Sequence, residues 1–124
     1  MNNIITLYHG TMNTNTNEVV DYPKASKSIN GFGFYCTLDA ETAGGFGRVV
    51  AWVLTKEQFD ELEYIQRPID QRYTEGLASY AVCASYGMEV VLTQHSANLM
   101  AINAIAAGEL EEVKARYMME ASNV

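Results

Sequence analysis

Reactive side chains are scarce in this sequence, which has two histidines, His9 and His95, and two cysteines, Cys36 and Cys83. His9 stands in "LYHGT", at the end of an apolar run and beside Gly10. There a ring nitrogen can meet a ligand while a residue without a Cβ lets that ligand approach the main chain. The plainer reading is a turn histidine bonded to the backbone. His95, in "LTQHSAN", either caps a turn or faces a cleft. Cys36 with His9 is a candidate nucleophile and base, but Cys36 follows Tyr35 inside an apolar run, where a thiol is ordinarily inert packing. The wide spacing of His and Cys, without C-x-x-C or H-E-x-x-H, argues against a metal site. "GGFG" at 44–47 lacks the lysine and the strand-to-helix setting of a phosphate-binding loop.

The elements that must position these residues follow from hydrophobic pattern and breakers. "NIITLY", residues 3–8, predicts a strand, and the Asn-, Thr- and Ser-rich stretch 11–31 a long connection, mostly irregular, of the kind that carries function. "FGFYCTL", residues 32–38, predicts a second strand, with Asp39 capping a short helix from Ala40 that Gly44, Gly45 and Gly47 stop. "RVVAWVLT", residues 48–55, is β-branched and predicts a third strand. "KEQFDELEYIQ" reads as a short helix or as a helix leading into a strand at Leu62–Ile65, closed by Pro68. Tyr73, Leu77, Tyr80, Ala81 and Ala84 recur at helical spacing and predict a helix over 69–86, ended by Gly87. "MEVVLT", residues 88–93, predicts a strand. A final helix starting at Ser96 or Asn98 carries Leu99, Ile102, Ile105, Leu110, Val113 and Tyr117 on one side, with Gly108 as a soft point. Its closing "ELEEVKARYMME" reads as a solvated face with charge pairs such as Glu112 with Arg116. The order gives one mixed α+β domain over residues 1–124, without the regular alternation of a doubly wound sheet.

Composition narrows the function further. The chain has 124 residues, 48% of them apolar, which suits one globular domain with its own core. No apolar run approaches the length of a membrane span, and the N-terminus carries no basic-then-apolar leader, so the expected compartment is the cytoplasm, with both cysteines as buried thiols. Fifteen acids against eight bases leave a net charge of −7, and the bases are scattered. Phosphate backbones need clustered Lys and Arg, so a nucleic-acid partner is disfavoured, although an acidic face could imitate one toward a basic protein.

Two stretches taken together carry a resemblance. "LYHGT" at 7–11, followed after a loop by "GFGFYCTLDAETA" at 31–43, resembles the ADP-ribosyltransferase superfamily, in the branch that reads YHGT in its first strand and G-x-GFY-x-T in its second. The resemblance implies a split, mixed β-sheet with flanking helices that binds NAD in a cleft and transfers ADP-ribose to an acceptor with loss of nicotinamide. It implies that His9 holds the ribose hydroxyl on the nicotinamide side. Gly10, with Thr11 after it, would bring backbone groups to the carboxamide, and Tyr35 would stack on the nicotinamide ring. Gly31 and Gly33 would then open the second strand toward the ligand. The family's late-strand acid falls on Glu89, in "GMEVVLT", or its place is taken by Gln94 after that strand, which could hold a hydroxyl without supplying charge. Breaking the nicotinamide–ribose bond passes through an oxocarbenium-like state, to which an aromatic face beside a pyridinium and a nearby carboxylate are both suited.

Three readings follow from this. The first is a small ADP-ribosyltransferase that uses NAD and modifies a protein side chain or a nucleic acid, of a size that fits a bacterial or phage effector such as a toxin or a counter-defence protein. The second is a catalytically incomplete relative that binds NAD or another nucleotide, or inhibits a partner protein by contact, through exposed aromatics such as Tyr22, Phe59 or Tyr64 beside Glu61 and Glu63. The third is an α+β domain in which HGT and GFGFY are turns and packing. An enzyme requires His9, Tyr35 and an acid to converge on one cleft. In this scheme the 11–31 loop selects the acceptor.

Overall fold

The structure is a computed structural model that describes residues 4–28, 31–62, 64–67, 79–84 and 87–118. In chain order its elements are β1 (Ile4–Thr11), α1 (Thr16–Asp21), β2 (Ser26–Ser28), β3 (Gly31–Thr37), α2 (Ala40–Gly44), β4 (Arg48–Thr55), α3 (Lys56–Asp60), β5 (Tyr64–Arg67), β6 (Ser79–Ala84), β7 (Gly87–Leu92), α4 (Gln94–Asn103), β8 (Ala106–Glu109) and α5 (Leu110–Val113), which runs on into a π-helical turn, Lys114–Met118. The class is α+β, as the hydrophobic pattern predicts.

β4 anchors the sheet. Its RVVAWVLT sequence has no hydrophilic break between Val50 and Leu54, each at most 1% exposed, because both faces of the strand are covered. β1 lies antiparallel along its whole length, from Ile4 opposite Thr55 to Thr11 opposite Arg48. β8 occupies the other edge of β4, and β3 then β7 continue beyond β1. The five strands β7-β3-β1-β4-β8 are antiparallel throughout. β6 extends the sheet antiparallel to β7, β5 pairs parallel with β6, and β2 pairs with the start of β3.

The junction of β1 with β3 differs from every neighbour. A single residue pair, Tyr8 opposite Thr37, joins them, whereas β1 and β4 share eight. Beyond that rung the two strands part, and the sheet opens into a β1-β4-β8 portion and a β3-β7-β6 portion. Strand alternation then sorts the side chains. Leu7, His9 and Thr11 share one face with Trp52, Val50, Phe34 and Cys36, while Tyr8, Gly10, Thr37 and Tyr35 share the other.

The first face carries the larger core, in which Leu7, Phe34, Trp52 and Leu92 meet Val19 and Val20 of α1, Phe59 of α3 and Met100 of α4. The second is smaller, with Ala51, Val53, Ala106 and Val113 packed beside Tyr8 and Tyr117. The helices start where side-chain oxygens satisfy first-turn amides. Asn15 caps α1, Asp39 caps α2, Thr55 forms a reciprocal capping box with Gln58 on α3, and Thr93 caps α4.

Three expectations are corrected. The 11–31 connection holds a helix and a short strand, because Asn15 supplies a cap and Val19 and Val20 an apolar face. Within the helix expected over 69–86, residues 79–84 form β6, whose backbone pairs with β5 and β7 at once. Residues 68–78 lie outside the described residues. The single helix expected after Ser96 starts two residues earlier and ends at Asn103, and Ala106–Glu109 then joins β4 as an edge strand, which leaves Ile102 and Ile105 exposed. The backbone ladder with β4 outweighs the helical spacing of those residues.

Candidate functional site

His9 is the first core-facing residue of β1 beyond the Tyr8–Thr37 rung, where β1 and β3 part. Its Nδ1–H donates to the Tyr35 carbonyl oxygen at 2.7 Å, across the opening between the strands. A carbonyl only accepts, so this bond fixes the tautomer and leaves Nε2 as a lone-pair acceptor. Burial pushes the His9 pKa below its ordinary 6.5, partly opposed by the bond to Tyr35, and so keeps the ring neutral at physiological pH. The imidazole stacks on Phe34 with ring centroids 4.4 Å apart. Phe34 in turn meets the edge of Trp52 at 5.6 Å, and the Trp52 Nε1–H donates to the Val20 carbonyl at 3.1 Å. One aromatic series therefore ties β1, β3, β4 and α1 together behind His9.

Beside this series lies a cleft of about 510 Å³, lined by His9, Thr11, Asn13, Glu18, Val19, Tyr22, Lys24 and Phe34. Volumes of this order hold small-molecule and cofactor ligands. The 11–31 connection, expected to select an acceptor, supplies most of the lining. Its front is held by the Arg48 guanidinium, which donates to the Asn13 carbonyl at 3.0 Å while pairing with Glu109 at 2.7 Å. Thr16 also donates to Glu109, and Asn13 Nδ2–H donates to the Glu18 carboxylate at 2.8 Å.

The expected site residues fall in several places. His9 and Thr11 line the cleft together, and the Thr11 hydroxyl oxygen also accepts the Asn13 amide. Tyr35 gives its carbonyl to His9, while strand alternation sets its side chain on the face opposite Phe34, together with Gly10. Gly10 has a packing role, since a Cβ there would stand inside the van der Waals shell of the Ala43 carbonyl oxygen and 3.0 Å from the Phe46 Cβ. Gly33 likewise leaves room for Val91 and Leu92 of β7. Both glycines, expected to admit a ligand, thus also stand where close strand and helix packing leaves no room for a Cβ.

Gln94 is engaged elsewhere. Its Nε2–H groups donate to the Pro23 carbonyl at 2.7 Å and Asn98 Oδ1 at 3.0 Å, and its Oε1 accepts the Ala25 amide at 2.8 Å. It latches the loop behind Tyr22 rather than lining the cleft. Glu89 lies within β7 with its backbone opposite Thr37, and its side chain lies outside the described residues. His95 is exposed at the start of α4, and Cys36 is buried in the core away from the cleft lining. Phe59 is also buried, so it offers no contact surface of the kind expected. Among the described residues no cluster of His, Cys, Asp or Glu could hold a metal, and no helix is long and apolar enough to cross a membrane.

Three residues of the cleft lining carry no sequence motif: Phe34 precedes the tyrosine of its strand, and Glu18 and Lys24 sit in a polar stretch. Outside the lining, Phe46 is 56% exposed beside Gly10 and lies between Gly45 and Gly47. An aromatic between glycines is the one sequence signal that could have marked Phe46.

Comparison with family models, with curated proteins and with solved structures gives no match. The functional reading therefore rests on the cleft itself.

Proposed function

We propose that this protein is a small ADP-ribosyltransferase that uses NAD and modifies an acceptor on another protein. The observation that carries the reading is the His9 imidazole at the opening of the sheet, neutral, its Nδ1–H given to Tyr35 and its Nε2 left to accept a sugar hydroxyl. The parting of β1 and β3 supports it, because a dinucleotide must reach main chain at that point and a continuous ladder would exclude it. So does a lining that pairs acceptors for hydroxyls with aromatic rings and a cation.

In this reading the ribose of the nicotinamide half binds at His9, and the pyridinium lies in the opening near Gly10, with Tyr35 and Phe46 as the aromatic groups of that face. Heterolysis of the ribose–nicotinamide bond sends its electron pair to the pyridinium nitrogen, and neutral nicotinamide leaves. The ribose carbon gains oxocarbenium character that a carboxylate stabilises. The acceptor's nucleophile then forms the new bond and gives up its proton. Glu89 is the residue we assign as that carboxylate, on its strand position next to β3.

The test is incubation of the purified protein with NAD while free nicotinamide is followed chromatographically. Release that disappears in His9→Ala and falls at least tenfold in Glu89→Gln is the expected result. Protein that binds NAD without releasing nicotinamide at any concentration would sink the transferase and leave a nucleotide-binding relative, and no binding at all would end both.

A further inference from the structure

The segment after α1 alternates in burial, with Tyr22 and Lys24 exposed and Pro23 and Ala25 buried. Both exposed side chains line the cleft. Tyr22 leaves a large ring 77% exposed there, where packing has no use for it. Lys24 forms no ion pair among the described residues, in a chain whose net charge is −7. Their position is nevertheless fixed, because Gln94 holds the carbonyl of Pro23 and the amide of Ala25, the two residues that bracket Lys24. A segment held in this way presents its side chains at little further entropic cost on binding. Glu18, another lining residue, has Oε1 bonded to Asn13, and its carboxylate has further lone pairs for hydroxyl donors.

We propose that Tyr22 and Lys24 form the subsite for the adenylate end of a nucleotide, with the purine on the Tyr22 ring, the phosphate on the Lys24 ammonium and the ribose hydroxyls on Glu18. This assignment rests on the NAD reading above and divides the cleft, so that His9 serves one ribose and the loop serves the other half of the ligand. A ring and an ammonium two residues apart suit a planar base joined to an anion. A carboxylate in the same lining suits the diol between them and disfavours an isolated phosphate. Gln94 is a positioning residue here, acting through the loop backbone.

The test is titration of AMP, ADP-ribose and nicotinamide riboside into the intact protein and its Tyr22→Ala, Lys24→Ala and Gln94→Leu variants. Tyr22 and Lys24 are exposed, so their variants keep the fold. Each should bind AMP and ADP-ribose about tenfold more weakly, the scale of one stacked base or one charged contact to phosphate, with nicotinamide riboside unchanged. Gln94→Leu should lose AMP affinity in the same way, again with nicotinamide riboside retained. Wild-type AMP affinity in both exposed-residue variants overturns the subsite and leaves the NAD reading standing. So does a wild-type protein that binds nicotinamide riboside but not AMP. A wild-type protein that binds neither NAD nor ADP-ribose overturns the subsite together with the proposed function.

Discussion

Replacement of His9 by alanine tests the central arrangement through stability alone, before any ligand is added. The substitution leaves the Tyr35 carbonyl without its 2.7 Å partner, a loss of about 1–3 kcal/mol for a buried acceptor. It also removes the ring stacked on Phe34, worth a further ~0.5–1.5 kcal/mol. Water can enter the cleft and satisfy part of the vacated position, so the expected loss lies near the lower end, about 2 kcal/mol. The pH dependence is sharper. Burial holds the His9 pKa below its ordinary 6.5, so the unfolded chain takes up a proton that the native ring refuses. His9 therefore costs the native state nothing well above that value, and stability is lost as pH falls below it, by up to about 1.4 kcal/mol per pH unit, until the folded-state pKa is reached. The alanine variant lacks this slope, so wild type and variant should differ less at about pH 5.5 than at about pH 7.5. Urea unfolding followed by far-ultraviolet circular dichroism at both values measures it. A constant difference between the proteins, or a loss under roughly 0.5 kcal/mol at neutral pH, would refute the buried, hydrogen-bonded imidazole.

Three further outcomes follow from the packing. Gly10→Ala must displace the Ala43 carbonyl, a backbone atom, so it should destabilise by about 2–3 kcal/mol and lower the thermal midpoint accordingly. Trp52→Phe keeps most of the ring packing but strips the buried Val20 carbonyl of its donor; we expect a loss of about 1–3 kcal/mol, read by urea denaturation, together with faster amide exchange in α1. Thr55→Ala removes one half of the capping box on α3 and should cost about 1 kcal/mol in the same denaturation assay, without altering ligand affinity at the distant cleft.

What the sequence disclosed was mainly local. Val50 to Leu54 announce a central strand because an unbroken apolar run has no other use at that length, and Asp39 announces a cap because its oxygen has amides within three residues to satisfy. His9 and Gly10 stand out by type and adjacency. What stayed hidden depends on partners far along the chain. Nothing in "AAGE" signals a strand until β4 offers its edge, and the helical spacing through Ile102 and Ile105 points the other way. Gln94 reads as a ligand residue after a strand, yet its partners Pro23 and Ala25 lie about seventy residues earlier. Tyr35 and Phe34 differ by one position, and the single rung at Tyr8 and Thr37 decides which of them shares the His9 face. Register of that kind is a tertiary property, so the sequence alone does not show that it is Phe34 whose side chain lines the cleft with His9.

Trp52 is the chain's only tryptophan, set against eight tyrosines. Its indole is fully buried, touches Phe34 on one side and is tethered to α1 on the other. Excitation at the red edge of the aromatic band selects this one fluorophore, whose emission then depends on the local field and quenching set by the floor and wall of the cleft. The protein thus carries its own optical gauge of cleft occupancy, placed by the fold where a label would otherwise have to be attached.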